Sequence, residues 1–198
     1  MFQEAHDDAP GLSPVPSGFK YHRDFVTQIE EQELARAVST LDLKPFEFHG
    51  HQGNRRVISF GLRYNFAKRG VERASSPPDF LYNLRQKVAD LTGYAADDFV
   101  QIGVNEYSPG AGIGWHRDKA EFGTVVGFSL LSAVKMRFRK SAGNAWVRFS
   151  YELEPRSVYI LSEEIRQLWE HSIAPVTSLR YSLTFRTLAP SLQKANSD

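Results

Sequence analysis

The sequence has 198 residues, a length that favours one domain with a sizeable buried core. Hydrophobic residues make up 41%, charged residues 24% and the net charge is +1, which are ordinary values for a globular protein. No apolar run is long enough to cross a bilayer, and the absence of cysteine excludes disulfides and thiolate ligands. We therefore expect an intracellular, cytoplasmic protein without a membrane partner, in which nitrogen and oxygen atoms would hold any metal.

Basic residues are concentrated in two stretches. Residues 54–73 hold six basic side chains against one acid, and residues 135–148 hold five and no acid, whereas residues 1–53 hold four basic and nine acidic ones. Two such stretches on a nearly neutral chain indicate a polyanionic partner. Solvated faces of ordinary strands are the alternative interpretation.

Composition also divides the chain into a domain and two tails. Residues 1–17 are rich in proline, aspartate and small residues, which predicts a flexible N-terminal tail. We expect the domain to extend over 18–190 and a short C-terminal tail over 191–198.

Two helices are predicted before residue 99. Thr27 followed by Glu30 is the pattern of a capping box, so the first helix is expected to begin there. The second is expected to begin near Pro78 and to end at Gly93. Its apolar stripe is Phe80, Leu81, Leu84, Val88 and Leu91.

From residue 99 the hydrophobic period changes to two, which is typical of strands. The expected strands are 99–107, 124–131, 134–139, 146–153, 157–161 and 179–188, with a turn at 141–144. The predicted fold class is therefore mainly β with flanking helices (α+β), in which the helices pack on a β-sandwich or jelly roll.

Three side chains form a candidate metal site. His116 and Asp118 are two residues apart, so in extended chain the imidazole and the carboxylate point to one side. His171, which follows a predicted buried strand, is the third candidate. Two histidines and one carboxylate on one face of iron(II) leave three positions open, two for a 2-oxo acid and one for O2. We predict that these three residues are the catalytic metal ligands.

The last predicted strand carries a candidate co-substrate site. Within 180–186 polar and apolar residues alternate, so Arg180 and Arg186 share one face with two hydroxyl side chains between them. Two inward guanidiniums need partners, and a dicarboxylate could accept paired hydrogen bonds from them. Asn105 and Tyr107 are predicted to bond its remaining oxygens. An edge strand with its arginines in water is the alternative.

Taken together and in this order, these motifs resemble the AlkB family of dioxygenases over about residues 18–188. The resemblance implies a double-stranded β-helix, a form of jelly roll, with iron near one open end. It also implies oxidative dealkylation of nucleobases in DNA or RNA with Fe(II), O2 and 2-oxoglutarate. The implied iron ligands are His116, Asp118 and His171, and the implied 2-oxoglutarate contacts are Asn105, Tyr107, Arg180, Ser182 and Arg186.

The substrate side is predicted from residues 54–66, which mix basic and aromatic side chains where the family recognises nucleotides. An enzyme that works on a base must turn it out of the stack and needs stacking surfaces and phosphate contacts. The predicted substrate contacts are Tyr64, Arg55, Arg56, Arg137 and Arg139, and further stacking candidates are Phe46, Phe48, His51 and Phe66. Core aromatics of a strand pair are the alternative. The expected partner is alkylated single-stranded DNA or RNA, tRNA included, and the expected state is a monomer.

Two residues depart from the pattern of the family, and the connection between His171 and Arg180 is shorter than in its best-known members. Ser182 stands where those members carry Asn. Ala120 stands where some nucleic-acid demethylases carry Asp beside the target base. The preferred base therefore stays open.

Three other functions also stay open. The first is a dioxygenase of the same kind that acts on a protein side chain or a small molecule. The second is a nucleic-acid binding module with an inactive core. The third is a zinc hydrolase with similar ligands, which would not need Arg180 and Arg186.

Overall fold

The protein, seen in a computed structural model, is described over residues 15–48 and 51–193. In chain order its elements are β1 (Phe19–His22), α1 (Gln28–Ser39), β2 (Lys44–Phe48), β3 (His51–Asn65), β4 (Gly70–Arg73), α2 (Asp79–Thr92), a 3-10 turn (Ala96–Asp98), β5 (Phe99–Tyr107), β6 (Ile113–His116), β7 (Phe122–Leu130), β8 (Val134–Ala142), β9 (Ala145–Leu153), β10 (Ser157–Leu161), α3 (Glu163–Leu168), β11 (Glu170–Ile173), β12 (Arg180–Leu188) and α4 (Pro190–Gln193).

The strands form two antiparallel sheets. The larger has the order β1-β10-β7-β12-β5-β3-β2, with β4 paired to β3, and the smaller has the order β6-β11-β8-β9. One core cluster joins α1 and α2 to the larger sheet through residues such as Val38, Leu84 and Phe128. A second cluster joins the two sheets through residues such as Tyr107 and Phe138. This arrangement is a jelly roll with helices on one face, as the sequence predicted.

Both predicted helices are present, and their ends have the expected chemistry. Thr27 Oγ1 accepts a hydrogen bond from the Glu30 amide at 3.2 Å, and Glu30 Oε2 accepts one from the Thr27 amide at 2.8 Å. This capping box begins α1. Gly93 ends α2 in the left-handed region, with φ +77°, where glycine carries no steric penalty.

The six predicted strands correspond to β5, β7, β8, β9, β10 and β12, but several elements of the structure were not predicted. They are α3, α4 and the strands β1, β2, β3, β4, β6 and β11. The longest of these, β3, changes partner at Gly61 (φ +74°), where a Cβ would stand 2.3 Å from the Val100 carbonyl oxygen. Before Gly61 the strand pairs with β5, and after it with β4.

Most of the two predicted tails lies outside the described residues. Ser17, within the predicted N-terminal tail, donates to Glu163 at the start of α3, and the first residues after 190 belong to α4. The domain boundaries stay predictions. Within 15–48 and 51–193, no helix has the length and apolar character needed to cross a membrane.

Candidate active site

Strand pairing brings the three candidate metal ligands together at one end of the jelly roll. His116 on β6 and His171 on β11 are directly opposed partners, and their ring centroids are 4.2 Å apart. Asp118 follows β6 by two residues, and its Oδ2 lies 3.7 Å from Nε2 of His171. Side chains that are 55 residues apart in sequence therefore face one point.

The protonation states at this point suit a divalent metal. Nδ1 of His116 lies 2.9 Å from the carbonyl oxygen of Gly114. A carbonyl only accepts, so this nitrogen carries the hydrogen and Nε2 keeps a free lone pair. Burial lowers the pKa of His171 to about 3 and also lowers the pKa of His116. Both imidazoles are therefore neutral at neutral pH.

The Asp118 carboxyl is ionised, although burial opposes this. Burial by itself raises its pKa. The nearby Arg186, and after it His171 and His116, lower the pKa by a larger amount, so the net shift is downward. Arg186 donates to Oδ1 of Asp118 from Nε at 3.1 Å and from Nη2 at 2.8 Å. Its Nη1 bonds Gln101 and Thr184, each at 2.8 Å.

These donors fit iron(II) chemically. Two neutral imidazole nitrogens and a carboxylate oxygen are its ligands in open-faced oxygenase sites. Within the described residues no group of three His, Cys, Asp or Glu side chains is arranged so that it could hold an ion as it stands. In this trio Oδ1 of Asp118 is engaged by Arg186, and Oδ2 faces His171. The assignment of the three residues as ligands stays a prediction.

A second observation fits an anionic co-substrate. Arg180 is fully buried, its Nε donates to Ser129 at 3.1 Å, and its Nη1 and Nη2 have no hydrogen-bond partner among the described residues. The guanidinium carbon lies 5.3 Å from the centre of the Tyr107 ring. A buried cation with two unused donor groups is costly unless a ligand accepts from it, so Arg180 suits one carboxylate of 2-oxoglutarate.

A cavity of about 790 Å³ connects the trio to the predicted co-substrate residues. Its walls include His116, Asp118, His171, Asn105, Tyr107, Ser182 and Arg186, together with Tyr64 and Arg55. Glycine keeps this space open beside β12, because a Cβ on Gly103 would lie 2.8 Å from Oγ1 of Thr184 and 3.2 Å from Nη1 of Arg186. Of the predicted co-substrate residues, Arg180 does not line the cavity and stands beside Tyr107, which does.

Several residues of the site were not predicted, among them Tyr159 and Arg166. Tyr159 lines the cavity, and burial raises its pKa to about 12, so it is a neutral phenol. Arg166 on α3 donates to four main-chain carbonyls of the segment that carries Asp118. The acceptors include Gly123 at 2.9 Å and Lys119 at 2.6 Å. Pattern analysis offered no signal for Arg166, since its partners are backbone atoms brought near only by the fold.

Of the predicted substrate residues, Tyr64 and Arg55 line the cavity and the other three do not. Arg56 points away from it and forms a two-bond ion pair with Glu106, with both distances 2.7 Å. Arg137 and Arg139 lie on the outer face of the smaller sheet, because they alternate along β8 with Met136 and Phe138, which are buried, and Met136 lines the cavity.

The outer face has its own contacts. Arg139 donates to Glu170 at 2.6 Å, and its guanidinium carbon lies 4.4 Å and 4.2 Å from the ring centres of Trp115 and Trp146. The structure thus places on different surfaces two groups of basic residues that were both predicted to contact the substrate. The side chains of Phe48 and His51 lie outside what the structure describes.

Comparison with known proteins identifies the family of the chain. The sequence model of the 2OG-Fe(II) oxygenase superfamily matches residues 18–186. The chain therefore belongs to the superfamily of oxygenases that use iron(II) as cofactor and 2-oxoglutarate as co-substrate. Within that superfamily it is of the AlkB type, and it is a dioxygenase.

Three similar proteins can be compared with this chain, and the names of two of them refer to ALKBH8. The mouse "tRNA (carboxymethyluridine(34)-5-O)-methyltransferase ALKBH8" is 29% identical over 171 residues, which are 83% of this chain and 25% of that protein. The Acanthamoeba polyphaga mimivirus protein "Uncharacterized protein L905" is 34% identical over 195 residues, which are 87% of this chain and 85% of that protein. The Arabidopsis thaliana "Alkylated DNA repair protein ALKBH8 homolog" is 28% identical over 188 residues, 83% of this chain and 51% of that protein.

Among solved structures, that of OsALKBH1 superposes with a TM-score of 0.65 at 17% identity, over 89% of this chain and 99% of that one. At this identity the likeness shows the shared fold. The chain spans about a quarter of the length of the mouse relative and about half of that of the Arabidopsis one.

Proposed function

We propose that this dioxygenase removes alkyl groups by oxidation from nucleobases of single-stranded DNA or RNA, tRNA included. The observation that carries the proposal is a single cavity that joins the His-Asp-His trio to a wall of aromatic and basic side chains. A turned-out base needs a pocket of this kind, with stacking surfaces beside the reacting atoms. The names of two relatives, which refer to tRNA and to alkylated DNA, support a nucleic-acid substrate.

The residues of the chain have separate tasks in this proposal. His116, Asp118 and His171 would hold iron(II), and the buried Arg180 and the partly buried Arg186 would bind the carboxylates of 2-oxoglutarate. When bound, the iron, with O2 and 2-oxoglutarate, supplies the oxidant that hydroxylates the N-alkyl carbon, after which the product separates into free base and aldehyde.

Hydrogen bonds fix the orientation of the reacting groups. Nδ1 of His116 donates to the carbonyl oxygen of Gly114, and this bond orients the ring so that Nε2 points away from Gly114. Arg186 holds Asp118 by Oδ1, and Gln101 and Thr184 hold Arg186 in turn. Asn105, Tyr107 and Ser182 line the cavity beside these groups and would donate the remaining hydrogen bonds to the co-substrate.

Two linked measurements test the proposal. Protein supplied with iron(II) and ascorbate should convert 2-oxoglutarate to succinate, and single-stranded oligonucleotides with one N-methylated base should release formaldehyde. Asp118→Ala should abolish both products. The matched control is Asp97→Ala, which changes a carboxylate that is 93% exposed in its ion pair with Arg85 and should keep both activities.

The outcomes separate the chemistry from the substrate. Succinate formation without formaldehyde from any methylated DNA or RNA would keep the oxygenase chemistry and reject the nucleobase substrate, which would leave a protein side chain or a small molecule. Neither product in the unsubstituted protein would favour a binding module with an inactive core. The monomeric state and the intracellular location stay predictions, and sedimentation of the purified chain checks the first.

A further inference from the structure

An aromatic cluster forms one wall of the cavity. It consists of Phe46, Tyr64 and Phe66, all of which line the cavity. Phe46 and Phe66 meet edge to face with ring centres 6.2 Å apart, and Tyr64 and Phe66 do so at 5.1 Å. A group of this kind can stack on a flat ring, or it can surround a cation.

The faces of these rings already hold cations of the protein. Nζ of Lys119 lies 4.4 Å from the centre of the Tyr64 ring and 4.6 Å from that of Phe66. The guanidinium carbon of Arg55 lies 3.9 Å from the centre of the Phe46 ring. The negative face of an aromatic ring attracts a cation. Because Arg55 and Lys119 already occupy the faces of these rings, a positively charged base would gain little cation–π attraction here.

Acidic side chains do not offset these cations. The carboxylates that line the described cavity are Asp42 and Asp118, and each is paired. Asp42 is bonded to Lys44 at 2.6 Å and Asp118 to Arg186 at 2.8 Å. Within the described chain no carboxylate forms an ion pair with Arg55 or Lys119, and Nε of Arg55 is buried without a hydrogen-bond partner. Ala120, next to Lys119, adds no acid.

We propose that Arg55 and Lys119 make the site select alkylated bases that are electrically neutral over alkylated bases that are cations at neutral pH. This inference rests on the proposed nucleobase function. N3-methylcytosine and N1-methyladenine are cations at neutral pH, whereas N3-methyluracil is neutral. A cationic ring in this cavity meets two like charges at short range, where repulsion is strong even at an effective dielectric of about 20. A neutral ring stacks without that cost, and its carbonyl oxygens can accept from Arg55.

The experiment compares two oligonucleotides of one sequence, one with a single N3-methyluracil and the other with a single N3-methylcytosine. The two bases have nearly the same shape. They differ in charge and in the group at C4, which is a carbonyl oxygen in N3-methyluracil and an amino group in N3-methylcytosine. The unsubstituted protein should show a kcat/KM for formaldehyde release on the order of tenfold higher for the neutral base. Equilibrium binding without O2 should show the same order of affinity, which gives a readout separate from turnover.

Charge-reversal variants assign the preference to named residues. Lys119→Glu should lower the ratio of the two kcat/KM values on the order of tenfold or reverse it. The matched control Lys135→Glu makes the same charge change at an exposed position of β8 that does not line the cavity, and it should leave the ratio unchanged. Arg55→Met is a second variant that removes a cation without adding an acid and should shift the ratio in the same direction.

Three results would overturn the inference. A higher kcat/KM for N3-methylcytosine in the unsubstituted protein, or equal ratios in Lys119→Glu and Lys135→Glu, would reject charge selection while the nucleobase function stands. Absence of formaldehyde from both oligonucleotides, with succinate still formed, would reject the proposed function and this inference with it.

Discussion

Arg180 is a charged side chain that the folded protein buries without using all its donors. Its Nη1 and Nη2 have no partner among the described residues, and the side chain is fully buried. Such a group lowers stability until a ligand accepts from it. Arg180→Met should therefore leave the free energy of unfolding of the ligand-free protein unchanged or higher. It should also remove the rise in Tm that 2-oxoglutarate causes. At a 2-oxoglutarate concentration of 100 times its Kd, this rise corresponds to about 2.7 kcal/mol of added stability.

Thermal unfolding with and without 2-oxoglutarate measures both effects. Arg156→Met is the control, since Arg156 forms a surface ion pair with Asp24 at 2.7 Å and should keep the rise. A variant at 180 that still responds to 2-oxoglutarate would show that the guanidinium does not bind it.

At the residue scale the sequence indicated side chains whose meeting follows from local geometry. Alternation along 180–186 placed Arg180 and Arg186 on one inward face, and both face inward in the structure. Arg166, Tyr159 and Lys119 could not be found in this way. Arg166 contacts carbonyls, Lys119 contacts a ring, and Tyr159 packs over Gly127 of the neighbouring strand. All of these partners come from distant parts of the chain, and no spacing in the sequence encodes the contacts.

At the element scale, Arg166 ties α3 to the segment that carries Asp118. Its guanidinium bonds the carbonyls of Asp118, Lys119, Phe122 and Gly123. Arg166 is thus a positioning residue for a candidate ligand.

Arg166→Gln should weaken manganese(II) binding about 10- to 100-fold, as loss of groups that orient metal ligands does. Calorimetric titration, at a temperature where circular dichroism shows the variant folded, measures this. Full metal affinity in a folded variant would contradict the role.

The ion pair between β3 and β5 gives the fold a dependence on acid. Glu106 is buried and accepts two hydrogen bonds from Arg56, which lower its pKa below the ordinary 4.5. As pH falls the unfolded state takes up the proton first, so the stabilisation is complete above about pH 4.5 and is lost as pH falls through the lower folded-state pKa.

Arg56→Met should reduce stability by about 1–2 kcal/mol at pH 7, because Arg56 is half exposed, and should flatten this dependence. Urea unfolding at pH 7 and at a series of pH values from 5 down to 3 measures both, and a pH dependence that is unchanged in Arg56→Met would rule out the pair as its source.

The elements that could be predicted have a strong local signal. A capping box indicated the start of α1, and a terminal glycine indicated the end of α2. The change of hydrophobic period at residue 99 indicated β5, and the alternation over 180–186 indicated β12. Strands of four residues, such as β6 and β11, are too short to show a period, yet their pairing is what opposes His116 and His171. The site therefore depends on elements that only long-range pairing defines.

At the scale of the whole molecule, the fold sends the two basic stretches of the sequence to different surfaces. Residues 54–73 contribute Arg55 and Arg73 to the cavity, whereas Arg139 of the second stretch lies on the outer face, bonded to Glu170. In the proposed function, a single strand of nucleic acid whose base enters the cavity would pass Arg55 and Arg73. Phosphate contacts there should make the affinity for single-stranded oligonucleotides fall with salt.

Arg73→Gln should reduce the slope of log affinity against log salt by about 0.7, the value for one phosphate contact on a single strand. Arg139→Gln is the matched control and should leave the slope unchanged, because its guanidinium is already held by Glu170 and by the faces of Trp115 and Trp146. Fluorescence anisotropy over a salt series measures both slopes. If Arg139→Gln lowered the slope and Arg73→Gln did not, the nucleic acid would follow the outer face, and its base could not enter the cavity from the side where Tyr64 and Arg55 stand.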